Sequence, residues 1–346
     1  MLKTAKCLEC ILLLCLLAEL VPNNLRPSLL AVSAQQQDDY PEPSSIVPLC
    51  ESLIPYFYDS GNDSALNDNA TTNNLTAAVV SHPGAPWIQL DLSRTRLSSS
   101  ARLILRGEAS TQELDAHALA YASNGYSAVF SGDAVSVELA VVRPPAGGRR
   151  RRHLSGEATS SRIVVSNVLV GLCDPVAGVE SICLAEDDRV PSRDVRQGRI
   201  GLGGSCTAWL VSESVFVTAG HCGNATERSR MHFTFDAGPA NSEDQYAVEL
   251  STYVRVYEGA LDDPDWAVGR LLPNAVTKLL PGVARGGWYN ISTSAAAWSV
   301  GRTVRITGYG TDDDPLRKLT QQTHAGTITG VATNYLRYNA DSMVSR

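Results

Sequence analysis

The chain has 346 residues, of which 44% are hydrophobic, so it has room for about two domains with sizeable cores. Its formal net charge is −7, from 36 acidic residues against 29 Lys and Arg. This mild acidic balance argues against a nucleic-acid-binding protein, which normally presents a basic face.

The first 34 residues have the order of a secretory signal peptide. Lys3 and Lys6 precede an apolar run over 11–21, and small residues over 31–34 are followed by a polar stretch. We expect cleavage near Ala34. The alternative is a signal anchor that stays in the membrane, but the run is shorter than the ~20 residues of a span. The sequence therefore predicts a secreted protein without stable membrane association.

Five Asn-X-Ser/Thr sequons agree with passage through the secretory pathway. These candidate glycosylation sites are Asn62, Asn69, Asn74, Asn224 and Asn290. Three of them fall close together in loop-like sequence, which indicates a glycosylated or disordered surface segment.

Of the eight cysteines, three lie in the predicted signal peptide. The five that remain are Cys50, Cys173, Cys183, Cys206 and Cys222. Disulfides are expected in an oxidising compartment. Because five is an odd number, either one thiol is free or its partner lies in sequence outside this chain.

The N-terminal half divides by composition. Residues 35–77 are rich in Asp, Asn, Ser and Pro and are predicted to form a flexible lead-in. Residues 78–143 contain short apolar runs punctuated by Gly and Ser, which predict a small antiparallel β domain such as a sandwich. The predicted strands are Trp87–Leu92, Arg102–Arg106, Ala128–Phe130 and Val135–Leu139. We see no catalytic constellation there and interpret it as a pro-domain or accessory domain.

Residues 144–160 are predicted to be an exposed linker because Pro and Gly precede four consecutive arginines, Arg149–Arg152. In a secreted precursor such a run is a candidate site for a processing protease, with cleavage after Arg152. The alternative is a solvated run of charge without any role in processing.

From Ile163 onward, short strand-like segments recur between turn signals and predict an all-β second domain. The segments are Ile163–Val170, Thr207–Val211, Val215–Val217, Val254–Tyr257 and Val304–Gly308.

The segment with the most chemical information runs from Cys206 to Cys222. It has a strand, a short turn and a second strand that ends in small residues and His221. A bridge between the two cysteines would pin the end of the second strand and hold His221 in place. A fixed imidazole within reach of a nucleophile is what a general base requires.

The run Thr218-Ala219-Gly220-His221-Cys222 resembles the active-site histidine segment of the trypsin and chymotrypsin-like serine proteases. Gly220, where trypsin has alanine, and the upstream Asp187-Asp188-Arg189-Val190 are similar to the glutamyl-endopeptidase-like branch. The resemblance covers residues 180–346. It implies an all-β fold of two chymotrypsin-like β-barrels, preceded here by the smaller β-rich domain, with the second barrel incomplete.

The family orients its histidine with an aspartate that precedes a short apolar strand. Asp265 fits this pattern, because Trp266 and the small Ala267 follow it. Asp262 and Asp263 are rivals, but they precede Pro264 in a stretch that reads as an exposed loop. The resemblance therefore implies His221 as general base and Asp265 as the acid that orients it.

Near the C-terminus, Asp341-Ser342 resembles the approach to the nucleophile. Relatives in this branch continue through one residue into Gly-Gly-X-Ser-Gly, so by that register the nucleophilic serine is expected one residue past Arg346. Ser345 does not fit, because Val344 cannot easily take the glycine conformation of an oxyanion turn. Three explanations stay open: Val344–Arg346 as translated intron, a truncated pseudoprotease, or a fragment.

Arg199-Ile200-Gly201 resembles a zymogen activation site but lies too close to Cys206 for a new N-terminus to fold back. We therefore expect it to belong to the first barrel strand. No HExxH, paired CxxC or phosphate-binding loop occurs, so no metal, nucleotide or organic cofactor is predicted.

The sequence thus predicts a secreted serine endopeptidase that acts on protein or peptide substrates, with no nucleic acid as partner. The alternative is a catalytically inactive secreted homologue that acts as a binding protein. Substrate preference, oligomeric state and the pairing of Cys50, Cys173 and Cys183 do not follow from the sequence.

Overall fold

The computed structural model describes residues 51–61, 74–141, 161–171, 180–181, 187–201, 205–236, 238–258, 264–292, 298–310, 312, 314, 316–332 and 336–343. Strands dominate these residues, as the sequence predicts. Among the helices described there, none is long and apolar enough to cross a membrane.

The described residues of the N-terminal part form eight strands. They are β1 (Glu51–Asp59), β2 (Asn74–Ser81), β3 (Trp87–Leu90), β4 (Ala101–Arg106), β5 (Thr111–Leu114), β6 (Phe130–Ser131), β7 (Ala134–Val141) and β8 (Val164–Gly171). They form two four-stranded antiparallel sheets, with the orders β1-β8-β3-β6 and β2-β7-β4-β5. One apolar core lies between the sheets and includes Ile88, Leu90 and Val170 from the first and Leu103 and Val137 from the second. This arrangement is a β-sandwich.

Two predicted boundaries differ from the structure. Residues 51–59 fall in the predicted flexible lead-in but form β1, in which Ile54, Tyr56 and Tyr58 pack against the sandwich core. The Asp-, Asn- and Ser-rich sequence that follows this strand obscured its apolar run. The segment 163–170, predicted to open the second domain, forms β8 in the same sandwich, because its valines complete that core.

The C-terminal part contains twelve more strands. They are β9 (Glu180–Ser181), β10 (Val190–Pro191), β11 (Gln197–Gly201), β12 (Ser205–Leu210), β13 (Val215–Thr218), β14 (Arg230–His232), β15 (Gln245–Tyr257), β16 (Asp265–Leu271), β17 (Thr303–Tyr309), β18 (Gln321–Val331), β19 (Leu336–Tyr338) and β20 (Ser342–Met343). A short helix, α1 (Pro281–Arg285), follows β16. The strand predictions within 207–308 are confirmed by β12, β13, β15 and β17.

Six of these strands close into a barrel with the order β11-β12-β13-β16-β15-β14. Its core contains Ile200, Leu210, Phe216, Met231 and Tyr246, all fully buried. The predicted all-β, chymotrypsin-like fold is confirmed by this barrel. The stretch that resembles an activation site lies in β11 as predicted, since Arg199 and Ile200 pair with strands on both sides.

A second sheet contains β10, β18 and β17 in that order, and β19 pairs with β18. Asp194 connects this sheet to the barrel. Its carboxylate accepts hydrogen bonds from the Arg196 guanidinium at 2.8 and 2.6 Å and from the Tyr289 hydroxyl at 2.7 Å. Its backbone N–H donates to Gln321 of β18 at 2.6 Å.

We expect the Asp194 contacts to make the free energy of unfolding decrease at acidic pH. Burial alone would raise the pKa of Asp194, but the hydrogen bonds from Arg196 and Tyr289 lower it to about 2. Because the folded pKa is below the unfolded one, this stabilisation is present above pH ~4 and is lost as the pH falls towards 2. Asp194→Asn should lower the free energy of unfolding at neutral pH by about 1–2 kcal/mol, allowing for the solvent exposure of Arg196. Urea unfolding from pH 2 to 7 tests this.

The exposed Glu243 provides a matched control as Glu243→Gln. An Asp194→Asn protein that retains the parent's stability and acid profile would contradict the assignment.

Candidate active site

The histidine segment begins where β13 ends. After Thr218 the chain passes through a 3-10 turn over Gly220–Cys222 that presents His221. The Thr218 hydroxyl donates to the carbonyl oxygen of Thr207 on β12 at 2.8 Å. The predicted disulfide between Cys206 and Cys222 is present and joins Cα atoms 6.0 Å apart. The barrel thus fixes the histidine turn from the β12 side.

Side chains of β15 hold the same turn from the opposite side. The Arg255 guanidinium donates to the carbonyl oxygen of Gly220, and the Tyr253 hydroxyl donates to that of Gly223 at 2.7 Å. The Tyr257 ring stands edge-on to the His221 ring, with centroids 6.3 Å apart. The sequence analysis missed these three supporting residues. Their spacing of two along a strand, which places them on one face, was the available signal.

Strand register brings Asp265 beside His221. β16 lies between β13 and β15, and Ala267 pairs with Thr218. Because the two strands are antiparallel, the residues before Ala267 run alongside those after Thr218. As a result, Asp265 Oδ2 lies 2.6 Å from His221 Nδ1, and Oδ1 accepts the backbone N–H of His221 at 2.7 Å.

These hydrogen bonds keep Asp265 ionised. Burial by itself would raise the pKa of its carboxyl group, but the hydrogen bonds and charge interaction with His221 outweigh burial and lower the pKa below its usual value. The backbone N–H of Gly220 contributes in the same direction. A carboxylate at this position accepts a hydrogen bond from Nδ1–H and thereby fixes the imidazole tautomer.

The other ring nitrogen is available for chemistry. His221 Nε2 has no hydrogen-bond partner among the described residues, and the His221 side chain is 33% exposed. In the tautomer that donates its Nδ1–H to Asp265, the imidazole presents a lone pair on Nε2. The arrangement suits a general base that removes a proton from a nucleophile placed next to Nε2.

Some of the other predicted site residues lie in the described part of the chain and others lie outside it. Asn224 and Asn290 are exposed, and Asn74 is the first residue of β2. Several others lie outside the described residues, namely Asn62, Asn69, Arg152, Cys50, Cys173, Cys183, Asp262, Asp263 and Ser345. The two rivals of Asp265 are among them; among the described residues, it is Asp265 that lies against His221.

Asp188, His324 and Asp341 bring three potential metal ligands together. His324 Nδ1 lies 3.1 Å from an Asp188 carboxylate oxygen and 3.7 Å from one of Asp341. However, Nδ1 already accepts the backbone N–H of Asp341 at 2.8 Å. The Nδ1 lone pair is therefore engaged by the backbone and is not available to a metal ion.

We expect the Cys206–Cys222 bridge to contribute strongly to stability. The double variant Cys206→Ser with Cys222→Ser should lose about 3 kcal/mol of unfolding free energy, because the unfolded chain is no longer closed into a loop of this length. Urea unfolding in oxidising buffer measures the loss. Glu213→Gln, an exposed residue between β12 and β13, is the control and should leave the unfolding midpoint unchanged. An unchanged unfolding midpoint in the double variant would refute the expectation.

Residues 187–344 match the family model Trypsin. The matched region is a little under half of the chain and includes His221 and Asp265. No curated protein matches the chain.

Proposed function

Because residues 187–344 match the trypsin family and support a trypsin-like serine protease, we propose that this domain hydrolyses peptide bonds through an acyl-enzyme. The observation that carries the proposal is the double contact of Asp265 with the ring and the backbone of His221. In this proposal His221 is the general base and Asp265 orients it. The nucleophile is a serine that the resemblance expects one residue beyond Arg346.

The reaction would proceed in two steps. In the first, the serine oxygen attacks the peptide carbonyl carbon while its proton moves to His221 Nε2. The Asp265 carboxylate stabilises the resulting imidazolium, and Nε2 then gives the proton to the leaving amine. In the second step a water molecule, activated by the same nitrogen, hydrolyses the acyl-enzyme and frees the serine.

We further propose that the domain belongs to the glutamyl-endopeptidase-like branch. Gly220 and the run Asp187-Asp188-Arg189-Val190 support this assignment. In the structure Arg189 is buried and its guanidinium bonds to both Asp187 and Asp312, which ties this run to the rest of the domain.

We also propose that the protein is secreted. The signal-peptide pattern over residues 1–34, the Cys206–Cys222 disulfide and the exposed sequons Asn224 and Asn290 support this. Expression in a eukaryotic secretory cell line tests it. The medium should contain protein that starts after Ala34 and that loses mass on enzymatic removal of N-glycans. Intracellular protein that retains residues 1–34 would contradict the proposal.

The catalytic proposal is tested at the transcript and then at the protein. We would sequence messages across the codons for Met343–Arg346 and express the encoded product with a serine-reactive phosphonate probe. A message that continues into Gly-Gly-X-Ser-Gly, with a product that is labelled and cleaves casein, supports the endopeptidase. If every message stops at Arg346 and the product neither labels nor cleaves, the inactive binding homologue replaces it.

A further inference from the structure

The strand that follows the arginine run belongs to the N-terminal sandwich. β8 lies in the interior of its sheet, paired with β1 from Glu51↔Gly171 to Asp59↔Val164 and with β3 from Ile88↔Val170 to Leu90↔Val168. Six of its eight residues are buried. Residues 149–152 lie in sequence between β7 and β8, so a cut there divides the sandwich into two pieces.

Side-chain contacts reinforce the pairing of 161–171 with the upstream strands. The Arg162 guanidinium forms an ion pair with Asp59. The Thr95 hydroxyl donates to the carbonyl oxygen of Val164 at 2.8 Å and accepts the Val164 N–H at 2.9 Å. Asn167 donates to the Asp91 carboxylate at 3.0 Å. The segment is therefore bound to the upstream residues along its length.

A second contact surface joins the sandwich to the barrel. The buried Arg230 of β14 donates to the carbonyl oxygens of Ser123 at 2.6 Å and Tyr126 at 3.1 Å. The side-chain amide of Gln245, on β15, forms two hydrogen bonds with the backbone of Val129. Its Oε1 accepts the Val129 N–H at 2.8 Å, and its Nε2 donates to the Val129 carbonyl oxygen at 2.7 Å. The barrel side chains thus pair with loop backbone groups that would otherwise be buried without partners.

Further contacts extend this surface. Asn124 donates to the carbonyl oxygen of Val248 at 2.9 Å, and the Ser242 hydroxyl donates to that of Thr111 at 2.6 Å. Ala275, which follows the barrel strands in sequence, is part of the sandwich core cluster. None of these hydrogen bonds involves His221 or Asp265. The sandwich is therefore held at a site distinct from the candidate active site.

Separating the two parts would be costly because of Arg230. Burial lowers its pKa to about 10, which still leaves the guanidinium charged at neutral pH. Pulling the sandwich away would strip this cation of two carbonyl acceptors, and hydrogen bonds to charged groups are among the strongest in proteins.

We propose that residues 51–141 form a permanent non-covalent subunit of the protease domain, held by β8 and by the Arg230–Gln245 face of the barrel. A cut between residues 141 and 161, including cleavage after Arg152, would give a two-chain protein. It would not release a pro-domain.

The test uses the full chain with Arg149–Arg152 replaced by the recognition sequence of a site-specific protease. Cys50→Ser is added, because Cys50 is the only cysteine between the predicted signal peptide and the cut, and its removal excludes a covalent link between the pieces. After cleavage, both pieces should co-elute in gel filtration at the volume of the uncut chain and separate only in denaturant. Amide exchange of residues 164–171 should stay as slow as before the cut.

Elution of the upstream piece alone in native buffer, with the downstream piece still folded, would overturn the proposal. To test the barrel face, Arg230→Ala should speed dissociation of the cut protein roughly tenfold or more. The matched control is Arg270→Ala, an exposed arginine of the same barrel, and should dissociate like the parent. If Arg230→Ala does not fold, Ser242→Ala makes the milder test. If the folded variant, Arg230→Ala or Ser242→Ala, dissociates at the parent's rate, the barrel face does not hold the sandwich and that part of the proposal is wrong.

Discussion

Asp265→Asn should lower kcat/KM for peptide hydrolysis about 10⁴-fold in the product that carries the serine. The structure gives the reason. The backbone N–H of His221 needs an acceptor, so the asparagine oxygen will occupy the Oδ1 position. Its amide NH₂ group then faces His221 Nδ1 and donates to it. The ring proton moves to Nε2, which can no longer accept the proton of the serine.

Steady-state kinetics measure this loss, and nitrogen NMR of the imidazole reports the tautomer independently of catalysis. Glu249→Gln, which neutralises a carboxylate on the neighbouring strand β15, is the control and should leave both readouts unchanged. Activity within a few-fold of the parent, or an Nδ1-protonated ring in Asp265→Asn, would show that Asp265 does not orient the base.

Gly220→Ala should displace the histidine turn and destabilise the barrel by roughly 1–3 kcal/mol or more. A Cβ atom at residue 220 would lie 2.1 Å from the carbonyl oxygen of Val256 and 2.9 Å from the backbone nitrogen of Trp266. These two residues pair across β15 and β16, so neither atom can move without opening the barrel ladder. The turn must shift instead, and with it the alignment of His221 with Asp265.

Thermal or urea unfolding measures the loss of stability. The control is Gly238→Ala, because a Cβ atom there meets no atom within 4 Å. Gly220→Ala with the parent's stability and an unchanged His221 tautomer would show that the turn tolerates a side chain. Because the resemblance places alanine at this position in trypsin, the result also tests the proposed assignment to the glutamyl-endopeptidase-like branch.

The sequence predicted individual strands better than it predicted their sheets. The apolar runs of β7 and β12 were visible because each strand buries alternate residues of a contiguous segment. β8 was assigned to the wrong domain, since its partners in β1 and β3 lie 78–120 residues upstream, from Leu90↔Val168 to Glu51↔Gly171. Strand pairing at such distances depends on the complete core and on register, neither of which a local window contains.

In the candidate site, the sequence identified the residues, whereas the tertiary structure set their geometry. His221 was identified from five consecutive residues and a cysteine at a fixed spacing. Asp265 was chosen over two neighbouring aspartates by pattern. Its distance to Nδ1 and its lowered pKa depend on the pairing of Ala267 with Thr218 across the barrel.

The sequence by itself determined the all-β class, the histidine segment and the cysteine pair. Each of these depends on a specific pattern within a short contiguous segment. Only the tertiary structure decided that Gly220 lies against the β15–β16 ladder, that Tyr253 and Arg255 support the histidine turn, and that β8 belongs to the sandwich. These features arise where segments distant in sequence pack together, and steric contact between them is set by the closed barrel and the shared core.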